Sequence, residues 1–109
     1  MNRDQDHAGL GQLLRNESEH ISFLQVNTDV MQEAGIEEGD VIAVDRRSDA
    51  TNNNIIVTMI GSDMVIRKLE AAGGREILVT PGRRLSPLDV TGRLKVWGVV
   101  VYVIKKIRC

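Results

Sequence analysis

Residues 35–45 read Gly-Ile-Glu-Glu-Gly-Asp-Val-Ile-Ala-Val-Asp, so that a polar turn runs directly into an apolar segment. Gly39 and Asp40 are typical turn residues, because glycine tolerates unusual backbone conformations and aspartate bonds nearby backbone groups. Residues 41–44 are apolar without a polar interruption, which predicts a buried strand. Residues 31–35 are expected to form one helical turn, stopped by its closing glycine.

Five further segments have the composition of strands. Residues 55–60 are mostly β-branched, which suits a pleated surface, and Gly61-Ser62-Asp63 turns the chain into a hairpin partner. Two prolines make residues 81–87 a loop, because proline cannot donate to a strand ladder. The sequence therefore predicts a mainly β domain. The predicted strands are residues 21–26, 41–44, 55–60, 64–69, 76–80 and 94–107.

The N-terminal part departs from this pattern. Residues 1–9 are polar and charged, so we expect a flexible N-terminal arm, followed by one domain over residues 10–109. Leu10, Leu13 and Leu14 have helical spacing, which predicts a short helical segment that lays its leucines on the main body.

Apolar side chains occupy both faces of the last predicted strand. One face carries the even-numbered residues of 94–104, and the other carries Val99, Val101 and Val103. Because both faces are apolar, we expect the core to cover one and a second subunit to cover the other. Trp97 is expected in the core or at that interface.

Composition argues against several functional classes. The chain has 14 basic and 15 acidic residues, whereas proteins that bind duplex DNA through its phosphates normally carry a basic excess, so direct DNA binding is not expected. No apolar segment suits a signal sequence or a membrane span, which predicts a cytoplasmic protein without a membrane partner. His7 and His20 have no partner at ligand spacing, and Cys109 is the single cysteine, so we predict no metal site and no cofactor.

Two separate segments of the sequence carry a family pattern. Residues 26–31 read Val-Asn-Thr-Asp-Val-Met, and residues 65–69 read Val-Ile-Arg-Lys-Leu. The pair resembles the Gly-Asp-Ser-Met turn and the Val-Lys-Lys/Arg-Leu strand of the self-cleaving UmuD/LexA serine peptidases. In that family the serine is the nucleophile and the first lysine is its general base. The resemblance puts Val30 at the serine position and Arg67 at the lysine position.

The resemblance extends over residues 10–107. Residues 35–45, 54–57 and 96–100 are similar to three strands of that family, in the same order and at nearly the same spacing. This implies the LexA/UmuD carboxy-terminal-domain fold, with several small coiled β-sheets around one core, and it implies a homodimer. Processed UmuD lacks the arm that carries the self-cleavage site, and this chain resembles that processed form.

The substituted positions predict that the peptidase chemistry is lost. A serine needs a base to remove its proton, and a lysine is such a base only when burial keeps it neutral. Valine has neither a proton to give nor a lone pair with which to attack, and arginine stays protonated. Arg67 is instead expected to pair with Asp29 or Glu33. The alternative is a diverged self-cleaving serine peptidase that uses Thr28 and Lys68.

The resemblance implies a function in the SOS response through protein–protein contact. Processed UmuD is an accessory subunit of an error-prone DNA polymerase in translesion synthesis, so we expect a dimeric accessory or modulatory subunit. The expected partners are a second copy, a UmuD-like or LexA-like protein, the polymerase and RecA. A mobile-element regulator of a LexA-like repressor is a further alternative. The expected contact residues are Trp97, Val99, Val101, Val103, Leu10 and Leu13.

Overall fold

A computed structural model of the protein describes residues 10–16, 20–90 and 95–105, and the predicted arm over residues 1–9 lies outside them. Short 3-10 turns at Gln32–Ala34 and Pro81–Arg83 lie in the connections between strands. Within the described ranges, no helix has the length and apolar character needed to cross a membrane. The strands are β1 (Leu10–Asn16), β2 (Ile21–Val26), β3 (Val41–Asp45), β4 (Ile55–Ile60), β5 (Asp63–Ala72), β6 (Arg75–Val79), β7 (Leu88–Val90) and β8 (Val96–Ile104).

These strands form one antiparallel sheet in the order β1-β2-β3-β8-β4-β5-β6-β7. Strands β1 to β3 are consecutive neighbours, and so are strands β4 to β7. The last strand, β8, lies between the two groups and pairs with β3 along one edge and with β4 along the other. The prediction of a mainly β domain is confirmed, whereas the several small sheets that were expected are a single eight-stranded sheet in the described residues.

Two clusters of buried apolar side chains form the core. Val57 on β4 and Ile66 on β5 lie opposite each other and belong to the first cluster. Ile56 belongs to the second cluster, together with Val99, its partner on β8. Strand alternation thus divides β4 between the two clusters. The other buried members are Leu10, Leu24, Val26, Met31, Ile36, Ile42 and Val44 in the first and Leu69 and Leu78 in the second.

Register shifts change the face on which β8 presents its side chains. The ladder with β3 skips Val101, which is an extra residue in a β-bulge between Val100 and Tyr102. A second shift, against β4, skips Trp97 in the same way. Because each bulge reverses the alternation, Val100 and Val103 both pack against the first cluster. The predicted division of this strand into even and odd faces is therefore wrong.

The predicted helical segment at the N-terminus is also wrong. Leu10 begins β1, which pairs antiparallel with β2. Register shifts between Leu10 and Leu13, and between Leu13 and Arg15, break the two-residue period of this strand. Leucines in such an irregular strand can have the spacing of a helix, and pairing with β2 then decides the local structure.

The remaining local predictions differ mainly at element ends. The helical turn that stops at Gly35 is confirmed, since this glycine has a left-handed φ of 87° after Gln32–Ala34. The hairpin of β4 and β5 is confirmed, although β5 extends to Ala72. Strand β7 (Leu88–Val90) was not predicted, because it is three residues long and directly follows Pro87.

A glycine permits the close approach of β8 to β3. A Cβ atom at Gly98 would lie 2.9 Å from the backbone oxygen of Asp45 and would overlap the side chain of Val44. Both neighbours belong to β3. The Asp45 oxygen cannot move away without moving the strand, and Val44 is a fully buried β-branched side chain with few alternative rotamers.

Gly98→Ala should therefore lower the free energy of unfolding by about 1–3 kcal/mol, the usual cost of overpacking a core. The urea midpoint measures this loss. Lys95→Ala, at an exposed position just before β8, is the control and should change stability by no more than about 0.5 kcal/mol. An unchanged midpoint for Gly98→Ala would contradict the close packing of the two strands.

Candidate functional site

The turn after β2 carries the residue at the predicted nucleophile position. Val30 donates its backbone N–H to the Thr28 hydroxyl at 3.3 Å, and Gln32 donates to the Asp29 carbonyl at 3.1 Å. Met31 is fully buried and anchors the turn in the first core cluster, against which Val30 also packs. The side chain of Val30 therefore contributes to packing, and the Thr28 hydroxyl is engaged by the turn itself.

Arg67 occupies the other predicted position, in the middle of β5. Its side chain is half-buried, and its Nη1 donates to the carbonyl oxygen of Ile66 at 2.7 Å. Burial lowers the pKa of Arg67 from its ordinary value, because desolvation disfavours the charged form. An arginine nevertheless stays protonated in proteins, so this side chain can donate hydrogen bonds and cannot accept a proton.

Val30 and Arg67 lie near different clusters of the core. Val30 packs against the first cluster, to which Ile66 belongs. Arg67 lies opposite Ile56 of the second cluster in the β4–β5 ladder, and alternation directs Arg67 and Ile66 to opposite faces of β5. That Val30 and Arg67 line a common cleft therefore stays a prediction.

A different arginine makes the ion pair that was expected for Arg67. Arg84 lies 3.1 Å from the Asp29 carboxylate through Nη2, and its Nη1 donates to the Asp29 carbonyl at 3.0 Å. The Glu33 carboxylate occupies the space that a Cβ atom at Gly82 would need. Arg84 and Gly82 thus hold the Pro81–Arg83 turn against the turn that carries Val30.

Arg84→Ala should loosen this contact and increase amide hydrogen exchange of residues 28–34 about 2–5-fold, as expected for an exposed ion pair. Arg83→Ala is the matched control, because its guanidinium lies 3.9 Å from Glu70 and does not reach Asp29. Equal exchange in both variants would show that Arg84 does not hold the turn.

An open groove of 560 Å³ runs beside this turn. Its wall carries mainly carboxylate and amide groups, unlike the apolar pockets that usually bind small organic ligands. In the part of the chain that the structure describes, no group of three or more histidine, cysteine, aspartate or glutamate residues is placed to hold a metal ion. The lining residues are Gln25, Val26, Asn27, Asp29, Gln32, Glu37, Glu38 and Gly39.

The predicted contact residues differ in their exposure. Leu10 and Val99 are only 4% and 6% exposed and belong to the chain's own core, so we exclude them from any partner surface. Trp97 and Val103 are partly buried against the first cluster, and Val101 is exposed. The side chain of Leu13 lies outside the described residues.

The sequence interpretation missed two exposed residues at the end of β8. Tyr102 is 72% exposed and Ile104 is 51% exposed. The alternation in the sequence places both residues on the same face as Val100. The bulge at Val101, which no sequence feature marks, changes the face on which they lie. Once the strand pairing is known, Tyr102 and Ile104 can be identified, because apolar β8 continues beyond Val99, where its ladder with β4 ends.

The fold and the position of the turn define a small antiparallel β domain of the peptidase S24 type. A model of the family described as Peptidase S24-like matches residues 2–101, and the chain belongs to this family. The implied LexA/UmuD-type domain is thereby supported as the fold of the chain.

Similar curated proteins include LexA repressors. The repressor of Bordetella avium is 38% identical over 68 residues, which cover 62% of this chain and 32% of that protein. Those of Vibrio vulnificus strain YJ016 and Shewanella piezotolerans are 27% and 31% identical over 86 residues, which cover 76% of this chain and 42% of each repressor. The matched part of the chain thus spans about a third to two-fifths of the length of these relatives.

Proposed function

We propose that this chain is a non-catalytic S24-like protein that acts by protein–protein contact, as a dimeric accessory or modulatory subunit in error-prone translesion synthesis of the SOS response. Its membership of the S24-like family and its similarity to LexA repressors support the general setting. A UmuD-like or LexA-like protein, an error-prone DNA polymerase and RecA are the partners that this setting suggests.

The observation that supports the proposal most directly is an open strand edge at the end of β8. Strand β4 pairs with Val96, Gly98 and Val99, whereas β3 pairs with β8 as far as Ile104. Among the described strands, the edge of residues 100–104 that faces away from β3 therefore has no neighbour. Such an edge offers backbone groups to another strand, and proteins normally protect it with charge or proline.

The side chains at this edge are apolar. Val101, Tyr102 and Ile104 are 40%, 72% and 51% exposed, and they are consecutive or nearly so in the strand. An exposed apolar group of this kind beside an open strand edge is typical of strand-addition interfaces, in which the backbone supplies affinity and the side chains supply specificity. A second copy of β8 offers the same chemistry, so that a two-fold dimer can form.

The chemistry at the two family positions supports a function without catalysis. Val30 offers no nucleophile and Arg67 offers no base, and both side chains already have structural contacts. The alternative, a diverged peptidase, requires that Thr28 and Lys68 meet. Thr28 accepts a hydrogen bond within its own turn, and Lys68 lies on β5 opposite Ile55.

The first test concerns self-association. We expect a dimer by sedimentation equilibrium, and we expect Tyr102→Arg to weaken it about 30-fold or more, because a charge would replace a central aromatic contact. Leu85→Arg is the matched control: Leu85 is 41% exposed on a different surface, and its replacement should leave the dimer intact. A wild-type monomer, or an equal effect of the two variants, would exclude the β8 edge as the interface.

The second test concerns catalysis. The purified protein should remain uncut on a gel at alkaline pH or with an activated RecA filament, because neither family position can start an acyl transfer. A clean time-dependent cut that Thr28→Val abolishes would favour the diverged peptidase.

The double variant Val30→Ser with Arg67→Lys is the positive control for the assignment of these positions. If Val30 and Arg67 share a cleft, this variant should cleave a supplied peptide measurably, whereas Val30→Ser with Arg67→Met should not. A folded double variant without any activity would mean that the two positions do not share a cleft.

A further inference from the structure

Lys105 directly follows β8, and its ammonium group contacts the loop over residues 35–40. The Nζ atom donates to the Gly35 carbonyl at 2.8 Å and to the Asp40 carboxylate at 2.5 Å. The Glu37 carboxylate is 3.8 Å away. One side chain thus connects the end of the proposed dimer strand to three residues of a single loop.

Asp40 makes this connection structurally important. Its side chain is 2% exposed, whereas that of Lys105 is 50% exposed. The same carboxylate oxygen that contacts Lys105 also accepts the Glu37 N–H at 2.8 Å. A buried carboxylate is costly without such partners, so the loop depends on them for its conformation.

The loop is in turn joined to the turn that carries Val30. Gly35 donates to the Gln32 carbonyl at 2.9 Å, and Ile36 donates to the Met31 carbonyl at 3.3 Å. Gly39 donates to the Val26 carbonyl at 2.8 Å, at the end of β2. Residues 37–39 also line the open groove beside the Val30 turn. A change at Gly35 or Asp40 therefore reaches both the groove and the Val30 turn.

We infer that Lys105 is a positioning residue that couples pairing at the β8 edge to the conformation of residues 35–40. This inference rests on the proposed dimer. β3 already holds residues 100–104 along one edge, and a partner strand would hold them along the other. The backbone that leads into Lys105 then has less conformational freedom to lose when the ammonium binds Gly35 and Asp40. Because binding free energies are reciprocal, the bound loop strengthens the dimer by the same factor.

The test is amide hydrogen exchange of residues 35–40 at low and high protein concentration, alongside sedimentation equilibrium of the same samples. In the wild type, exchange of this loop should slow about 5-fold or more as the dimer forms, the low end of typical coupling. Lys105→Met should abolish this concentration dependence and weaken the dimer by a similar factor. Lys105→Arg, which keeps a cation, should retain both properties.

Two further variants keep the test interpretable. Lys95→Met removes an exposed lysine at the other end of β8 and should behave like the wild type. Should Lys105→Met fail to fold because the buried Asp40 carboxylate loses its cationic partner, Asp40→Asn with Lys105→Met removes both charges and should also lose the coupling. A wild-type dimer whose loop exchanges at the same rate at every concentration overturns the coupling alone, whereas a wild-type monomer overturns the proposed dimer and the coupling together.

Discussion

Within the described residues, all strand pairing between β1–β3 and β4–β7 passes through β8. This strand is hydrogen-bonded to β3 along one edge and to β4 along the other, although it is the last strand in the sequence. The first core cluster contains residues of both groups, such as Ile42 and Val57, so it is complete only when β8 is in place. Long-range pairing of this kind carries a large loop-closure cost that buried apolar surface must offset.

The two partners of β8 also explain its irregular shape. Gly98 lets the strand approach Val44 and Asp45, and bulges at Trp97 and Val101 fit one strand to two ladders that differ in register. The ladder with β4 ends at Val99 and the ladder with β3 continues, so the strand that closes the sheet also leaves an open edge. The outer half of β8 thus pairs with β3 along one edge and offers the proposed dimer contact along the other.

Sequence reasoning predicted most of this fold, because most strands are regular. The apolar run at residues 41–44 and the β-branched run at residues 55–60 are strands in the structure, and Gly35 ends its helical turn. The errors occur where the period is broken. Leu10 and Leu13 have helical spacing but lie on β1, where register shifts break the two-residue period. No local signal distinguishes such a strand from a short helix.

The candidate site was predicted less completely, because it depends on contacts between distant segments. The family pattern selected Val30 and Arg67 as the site positions, but it could not show that Asp29 pairs with Arg84, which lies 55 residues further along the chain. Nor could it show that Lys105 reaches Asp40. The exposure of Tyr102 likewise follows from a bulge and from the end of a neighbouring strand, neither of which is visible in one sequence.

The function proposed for this chain requires that the outer half of β8 contacts a second copy. The most direct measurement is an isotope-filtered NOE spectrum of a mixture of labelled and unlabelled protein, which detects only contacts between chains. Intermolecular NOEs are expected among Val101, Tyr102 and Ile104. Intermolecular NOEs confined to other surfaces, or none in a sample that sediments as a dimer, would contradict it.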